Sequence, residues 1–344
     1  MKTPDQPLGI AVIGLGEYGA GQLIPALQHT SHCKLTGLVS GDPAKLDKYA
    51  KQYKIDQANC YNYNNFDQIA GNKEIDIVYI ALPNSMHLEF TRRAADAGKH
   101  IICEKPMACS VEDCREMISI VQQTGVRFSM GYRLHFDPYN QEMMRLGQHE
   151  QFGAIDKMLL QNSYTIEPGV WRLKHSLAGG GPLVNNGIYC VQAAMYITGK
   201  LPIAVEATFA AVTDPGKFSE VEEGINWTMY FGNGVIAECE TNYSKEQNIM
   251  RVDAEQGWFE LSPAYEYEGL KGRSSRGEIH FGPVNQQARQ MDDFARCIIE
   301  DIPTRVPAEM GLRDMEIITA IYESATTGKR IELNLGEFVA LPEL

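Results

Sequence analysis

At 344 residues the chain exceeds one typical domain, and 44% hydrophobic with 22% charged residues indicates a globular protein with a substantial core. Its 31 basic against 44 acidic residues leave a net charge of −13, which opposes binding to nucleic acid or to anionic membranes. No run of about 18 apolar residues offers a membrane span, and residues 1–7 enter the first strand without a signal-like segment, so a cytoplasmic protein is expected.

Ile10-Ala11-Val12-Ile13 is short, β-branched and continuous, the pattern of a strand buried on both faces of a parallel sheet. It runs straight into Gly14-Leu15-Gly16-Glu17-Tyr18-Gly19. Glycines at this spacing permit a tight turn and let the backbone approach a pyrophosphate. The helix expected over 20–29 points its N-terminus at that charge. A bare G-x-G-x-x-G is often only a turn; between strand and helix it predicts a dinucleotide site.

Strand and helix patterns then alternate. Strands are expected at 34–39, 76–82, 100–103 and 126–130, with helices at 44–54, 88–97 (ended by Gly98) and from the Ser110 cap to about 124. Such β-α-β units predict a doubly wound parallel sheet whose ligand lies beyond the carboxyl ends of the strands. Gly14 to Gly19, Ser40, Pro83-Asn84 and Glu104-Lys105-Pro106 all fall there. Past residue 137 a linking helix at 138–148 leads to strands at 154–164, 204–212, 225–231, 235–241, 250–254 and 258–261, with late helices at 286–300 and 309–327. The expected fold is thus α/β: a Rossmann doubly wound parallel sheet (1–136, dinucleotide binding) and an α+β domain with an open, mostly antiparallel sheet (137–344, substrate binding and oligomerisation). An open sheet invites a second subunit, so a homo-oligomer, dimer or tetramer, is expected. The eight cysteines include no C-x-x-C pair and read as small buried hydrophobes in a reducing compartment. His29, His32 and Cys33 lack a second cluster, so no metal site is expected.

Two stretches can carry chemistry. Lys105 follows a buried strand at the mouth expected for a nicotinamide, where it is either a solvated surface charge or an ammonium held in the cleft. Gly179-Gly180-Gly181-Pro182 opens a helix on which Asn185 and Tyr189, at i and i+4, share a face. The plainer alternative is a half-buried tyrosine with Asn185 as helix cap. Hydride transfer from a carbinol requires a group to move the hydroxyl proton. Tyrosine, with a pKa of about 10, is a poor base near neutrality. An ammonium at about 4 Å, worth about 4 kcal/mol before desolvation at an effective dielectric near 20, is expected to lower that value if the fold brings Lys105 to Tyr189.

These motifs, in this order, resemble the Gfo/Idh/MocA oxidoreductase family, and within it the glucose–fructose and aldose–aldose oxidoreductase branch. The likeness runs from about residue 10 to 329. It includes Leu38-Val39-Ser40-Gly41, Tyr79-Ile80-Ala81-Leu82-Pro83-Asn84-Ser85, Cys103-Glu104-Lys105-Pro106-Met107-Ala108, Gly131-Tyr132-Arg133, Trp171-Arg172-Leu173 and the stretch from Gly179 to Tyr189. The resemblance implies an enzyme that moves hydride between a nicotinamide and C1 of a cyclic aldose or related polyol. Lys105 is the implied catalytic-site lysine and Tyr189 the proton donor and acceptor. The implied cofactor site comprises Gly14, Leu15, Gly16, Glu17, Tyr18, Gly19, Ser40, Lys45, Tyr63, Leu82, Pro83, Asn84, His87, Glu104, Lys105, Arg133, Trp171 and Arg172. Asn185 stands where the family usually has an acid; its amide can hydrogen-bond a sugar but cannot take a proton. Glucose–fructose oxidoreductase carries an export signal and an arm over its cofactor; with only a short segment before the first strand here, neither cofactor trapping nor a periplasmic location is expected.

Ser40 ends the second strand where NAD-selective domains place a ribose-binding acid. With Lys45 one helical turn on, and Tyr63 matching a phosphate contact of the resembled branch, NADP is the expected cofactor. Asp42 is the alternative ribose ligand that favours NAD. A non-catalytic dinucleotide-sensing regulator on the same fold is the competing class, favoured by Asn185 and opposed by Lys105 and Tyr189.

Overall fold

The computed structural model describes residues 6–341. Its first sheet contains β1 (Leu8–Ile13), β2 (Cys33–Val39), β3 (Cys60–Tyr61), β4 (Ile77–Ile80), β5 (His100–Cys103) and β6 (Phe128–Met130). All are parallel, in the order β3-β2-β1-β4-β5-β6. Every residue of β1 and β4 is buried, as strands covered by helices on both faces require. The order reverses between β1 and β4, so a crevice opens beyond their carboxyl ends. Helix Val111–Thr124 starts as expected, with Ser110 Oγ accepting from the Asp113 N–H at 3.1 Å, and stops at Gly125 with φ of 71°. The helix expected over 20–29 is instead a π-turn (Gly19–Leu23), one α-turn (Ile24–Ala26) and a 3₁₀ turn (Leu27–His29). Pro25 lies in its middle, where it can give no hydrogen bond.

The second sheet contains β7 (Ile155–Ser163), β8 (Pro202–Phe209), β9 (Gly224–Phe231), β10 (Ile236–Asn242), β11 (Gln247–Ala254), β12 (Gly257–Leu261), β13 (Gly272–Ser274), β14 (Gly277–Ile279) and β15 (Ile331–Glu332). Their order is β14-β13-β12-β11-β7-β10-β9-β8-β15. Only β7 and β10 pair parallel, so the sheet is mixed and mostly antiparallel. β7 reaches the rest of the sheet through helix Ile188–Thr198, a crossover that permits parallel pairing. One face, with Met158, Leu160, Trp227, Met229 and Ala237, packs into the core. The other carries Lys157, Gln161, Glu206, Thr228 and Glu238, none of them buried.

The short strands β3, β13, β14 and β15 have no counterpart among the expected elements. Helix Gln286–Ile299 crosses the division drawn at 136: Ala288, Met291, Phe294 and Ala295 share a core with β1. The Asp292 carboxylate also accepts from the Ser31 and His32 N–H groups at 2.8 and 2.7 Å. The two sheets are therefore bound by a late segment as well as by the chain between them. Among the described residues no helix is long and apolar enough to cross a membrane.

Candidate active site

The glycines after β1 separate into two kinds. A Cβ on Gly14, whose φ is +95°, would lie 2.3 Å from the Ala81 carbonyl oxygen; one on Gly19 would lie 1.9 Å from that of Gly14. Packing of the turn alone demands both. Gly16 is exposed, and a Cβ there would meet nothing within 4 Å. The fold does not explain Gly16, whereas a pyrophosphate drawn close to the backbone does. The residues present fit a dinucleotide. Leu15 is buried, Glu17 exposed, and Tyr18 lies beside Tyr267 with ring centres 6.0 Å apart.

At the end of β2, buried Ser40 accepts through Oγ from the Asp42 N–H at 3.1 Å. Asp42 Oδ1 in turn accepts from the Ala44 and Lys45 N–H groups at 2.9 and 3.3 Å, capping helix Pro43–Tyr53. Such a cap is worth about 1 kcal/mol, and it engages the carboxylate that was the alternative ribose ligand. Lys45 is exposed in the first helical turn, and the Tyr63 ring covers Gly41 so closely that a Cβ there would lie 2.7 Å from it.

The loops after β4 and β5 are tied from beneath. His87, fully buried, has Nε2 3.0 Å from the Leu82 oxygen and Nδ1 3.0 Å from that of Pro106. Burial lowers its pKa. Buried Asn84 donates from Nδ2 to the Ala178 oxygen at 2.8 Å. Both side chains bond to protein groups and so hold the loops that line the cleft, where Pro83 is half-buried.

Lys105 and Tyr189, 84 positions apart in the chain, do meet. Lys105 Nζ donates to the main-chain oxygen of Asn185 at 2.6 Å and lies 4.7 Å from the centre of the Tyr189 ring. That oxygen belongs to the π-helical turn Leu183–Gly187, which opens into helix Ile188–Thr198. Asn185 does not cap this helix; its Nδ2 donates to Tyr164 Oη at 3.3 Å. Glu104 is buried beneath, accepting from Tyr79 Oη at 2.8 Å, and Gln290 donates to that phenol at 3.0 Å.

Burial holds Lys105 well below the ordinary lysine range; Glu104 opposes this, while Arg172 and Arg133 add to it. Burial likewise pushes Glu104 up, with Lys105 the main opposing influence. The expected lowering of the Tyr189 pKa is overturned. Burial raises it, Glu104 adds to the rise, and Arg133 is the chief opposing cation. Removing a phenolate from water outweighs the cations around it, and the Lys105 hydrogen bond goes to the Asn185 carbonyl instead of the phenol oxygen. Tyr189 therefore stands at neutral pH as a phenol.

Arg133, also expected in the site, is almost wholly enclosed. It donates to the carbonyl oxygens of Tyr265 and Glu266 and to Gln286 Oε1, and stacks between Tyr189 and Tyr267, 5.2 and 4.4 Å from their ring centres. Arg172 lies 4.8 Å from the centre of the Trp171 ring, both half-buried at the same mouth. Sequence reasoning missed Tyr164, Tyr243 and Tyr267. Tyr243 packs edge-on to Tyr164 at 5.4 Å, and its buried hydroxyl has no partner among the described residues. These three belong to no motif, and only chain folding brings them to the helix of Tyr189.

Three family models match. One described as "Oxidoreductase family, NAD-binding Rossmann fold" covers residues 8–132. "GFO/IDH/MocA C-terminal domain" covers 141–260, and "Oxidoreductase family, C-terminal alpha/beta domain" covers 278–333. D-xylose 1-dehydrogenase [NADP(+)] of Haloarcula marismortui is 28% identical across 96% of this chain and 94% of its own. D-glucoside 3-dehydrogenase of Escherichia coli is 27% identical across 95% and 98%. Among solved structures, an aldose-aldose oxidoreductase from Caulobacter crescentus, complexed with glycerol, is 39% identical. It superposes with a TM-score of 0.93 over 95% of this chain and 100% of that one.

Proposed function

The chain belongs to the Gfo/Idh/MocA oxidoreductase family and is an NAD(P)-dependent sugar oxidoreductase; on that premise we propose that it uses NADP and acts at C1 of a cyclic aldose or related polyol, with Tyr189 moving the hydroxyl proton. One observation carries this reading: Lys105 Nζ sits within 2.6 Å of the Asn185 carbonyl and 4.7 Å of the Tyr189 ring, at the strand ends that also hold Gly16. The nicotinamide, when bound, supplies the hydride donor or acceptor. Tyr189 holds its proton in the cleft and donates it to a sugar oxygen in reduction; in oxidation it must first release that proton, and as the phenolate it then accepts the sugar's hydroxyl proton. Such proton transfer contributes about 100- to 10,000-fold.

Lys105 and Arg133 act on the same phenol from different sides. Both lie against its ring, and their charge offsets part of the cost of a buried phenolate. The side chain of Asn185, oriented by Tyr164, offers its remaining amide oxygen to a sugar hydroxyl. Ser40 and Lys45 support the choice of NADP, since neither repels a 2′-phosphate, and the xylose dehydrogenase relative bears NADP in its name. The open face of the second sheet is the proposed meeting surface of a homo-oligomer, and a cytoplasmic setting accords with the reduced cysteines.

Nicotinamide absorbance on addition of a panel of aldoses tests the reading. A change confined to sugars with a free anomeric hydroxyl, larger with NADP than with NAD, is the expected result. No change with any aldose would favour the dinucleotide-sensing regulator.

A further inference from the structure

The helix that carries Tyr189 begins without a capping side chain of its own. A carboxylate from a distant loop stands in. Glu222 Oε2 accepts from the Gly181 N–H at 2.9 Å, while Oε1 accepts from the Leu183 N–H at 3.2 Å and from Tyr322 Oη at 2.8 Å. Negative charge suits the first turn of a helix, where N–H groups lack partners.

The three glycines are bare where their neighbours press in. A Cβ on Gly179 would lie 3.0 Å from Cys109, one on Gly180 2.3 Å from Tyr322 Oη, and one on Gly181 2.6 Å from the Glu222 carbonyl oxygen. From the cofactor side, Asn84 holds the Ala178 carbonyl. The turn is thus clamped at both ends, and Glu222 is the clamp nearest the catalytic helix. Burial pushes its carboxyl up, and the Tyr322 hydroxyl and the backbone N–H donors oppose this.

We infer that Glu222 is a positioning residue for the proton-transfer step: it fixes the 181–183 turn and through it the placement of Asn185 and Tyr189 against Lys105. The inference rests on Tyr189 being the proton-transfer group. The π-turn at Leu183–Gly187 lies between Glu222 and Tyr189 and carries the carbonyl that holds Lys105. A slip at its start therefore moves both members of the pair. In Glu222→Gln an amide NH₂ faces the Gly181 or Leu183 N–H whichever way the amide is turned, so one backbone contact is lost.

The test uses the full-length protein with Glu222→Gln, Glu222→Ala and Tyr189→Phe in parallel. NADPH binding is measured by fluorescence titration, and turnover on a responsive aldose is expressed per NADPH-binding site. Expected is a fall in kcat of about 10-fold for Glu222→Gln and about 100-fold for Glu222→Ala, the scale of a displacement of about 1 Å. NADPH affinity should stay unchanged, while the aldose KM rises with the displacement of Asn185. Wild-type kcat per site, even with a lowered Tm, makes Glu222 a helix cap only and overturns the inference. Turnover lost only in step with NADPH binding overturns it too. A Tyr189→Phe protein that keeps its turnover refutes the Tyr189 role, and the Glu222 role with it. An inactive Tyr189→Phe beside fully active Glu222 variants refutes Glu222 alone.

Discussion

Lys105 is tethered by the main chain of Asn185, with its ammonium 2.6 Å from that carbonyl oxygen, and not by the residue-185 side chain. The tether therefore survives any substitution there that keeps the backbone in place. Asparagine in place of the usual acid removes a charge from the site without releasing Lys105. The Asn185 amide donates to Tyr164 instead.

Tyr189→Phe removes one oxygen and leaves the ring that Lys105 and Arg133 lie against. Turnover should fall at least about 100-fold, while NADPH binding barely changes. Purified Phe variant with near-normal turnover would remove Tyr189 from the mechanism.

Gly16 and Gly19 separate a ligand requirement from a folding requirement. Gly16→Ala adds a Cβ that meets nothing, so Tm should hold, while affinity for the proposed NADP should drop, the result expected where backbone must approach a pyrophosphate closely. Gly19→Ala sets a Cβ 1.9 Å from the Gly14 oxygen, and should cost about 1–3 kcal/mol or more of stability. Thermal melts with and without NADP distinguish the two. Equal loss of Tm in both variants would mean that Gly16 is also structural.

Most of what was legible came from local pattern. The glycine turn after β1, the Ser110 cap and the alternating strands and helices each rest on a few adjacent residues. So did the candidacy of Lys105 and Tyr189, though not their meeting, which depends on how the two sheets pack. Tyr164, Tyr243 and Glu222 lie on strand ends and loops with no spacing to mark them. Strands β13 and β14 have only three residues each, too few for a period of two to register. The direction of the Tyr189 pKa was not legible, because a nearby charge can be read from sequence whereas the depth of burial, which sets the desolvation cost that dominates here, cannot.

His135 gives a pH signature of folding. It is buried, and its Nε2 donates to Gln192 Oε1 at 2.6 Å. Gln192 and Tyr132 both donate to Asp314, which Arg313 pairs at 2.8 Å. Burial brings the His135 pKa down from 6.5 to about 4. The unfolded chain therefore binds a proton between those values and the folded one does not, so stability falls as pH drops through that window. Near neutrality the residue contributes no such penalty. Between about pH 7 and about pH 4.5 this single group should cost about 2–3 kcal/mol. Urea titrations at both pH values should show a loss smaller by that amount in His135→Asn. An identical loss in the two proteins would mean that His135 is not held neutral.

Cofactor choice is decided around the turn after β2. An NAD-selective site needs a carboxylate free to take two ribose hydroxyls. Asp42 has one oxygen engaged by the Ala44 and Lys45 N–H groups, and turning it toward a ribose would uncap helix Pro43–Tyr53. Ser40 presents no charge against a 2′-phosphate, and Lys45 is exposed in the adjoining turn, where its ammonium can neutralise one. Lys45→Ala should therefore weaken NADP far more than NAD. An exposed ion pair of this kind is worth up to about 1 kcal/mol, or roughly fivefold in affinity. Fluorescence titration of both reduced cofactors against both proteins measures the ratio. Tighter NAD binding by the unaltered protein would reverse the assignment and make Asp42 the ribose ligand, with the helix start paying for it.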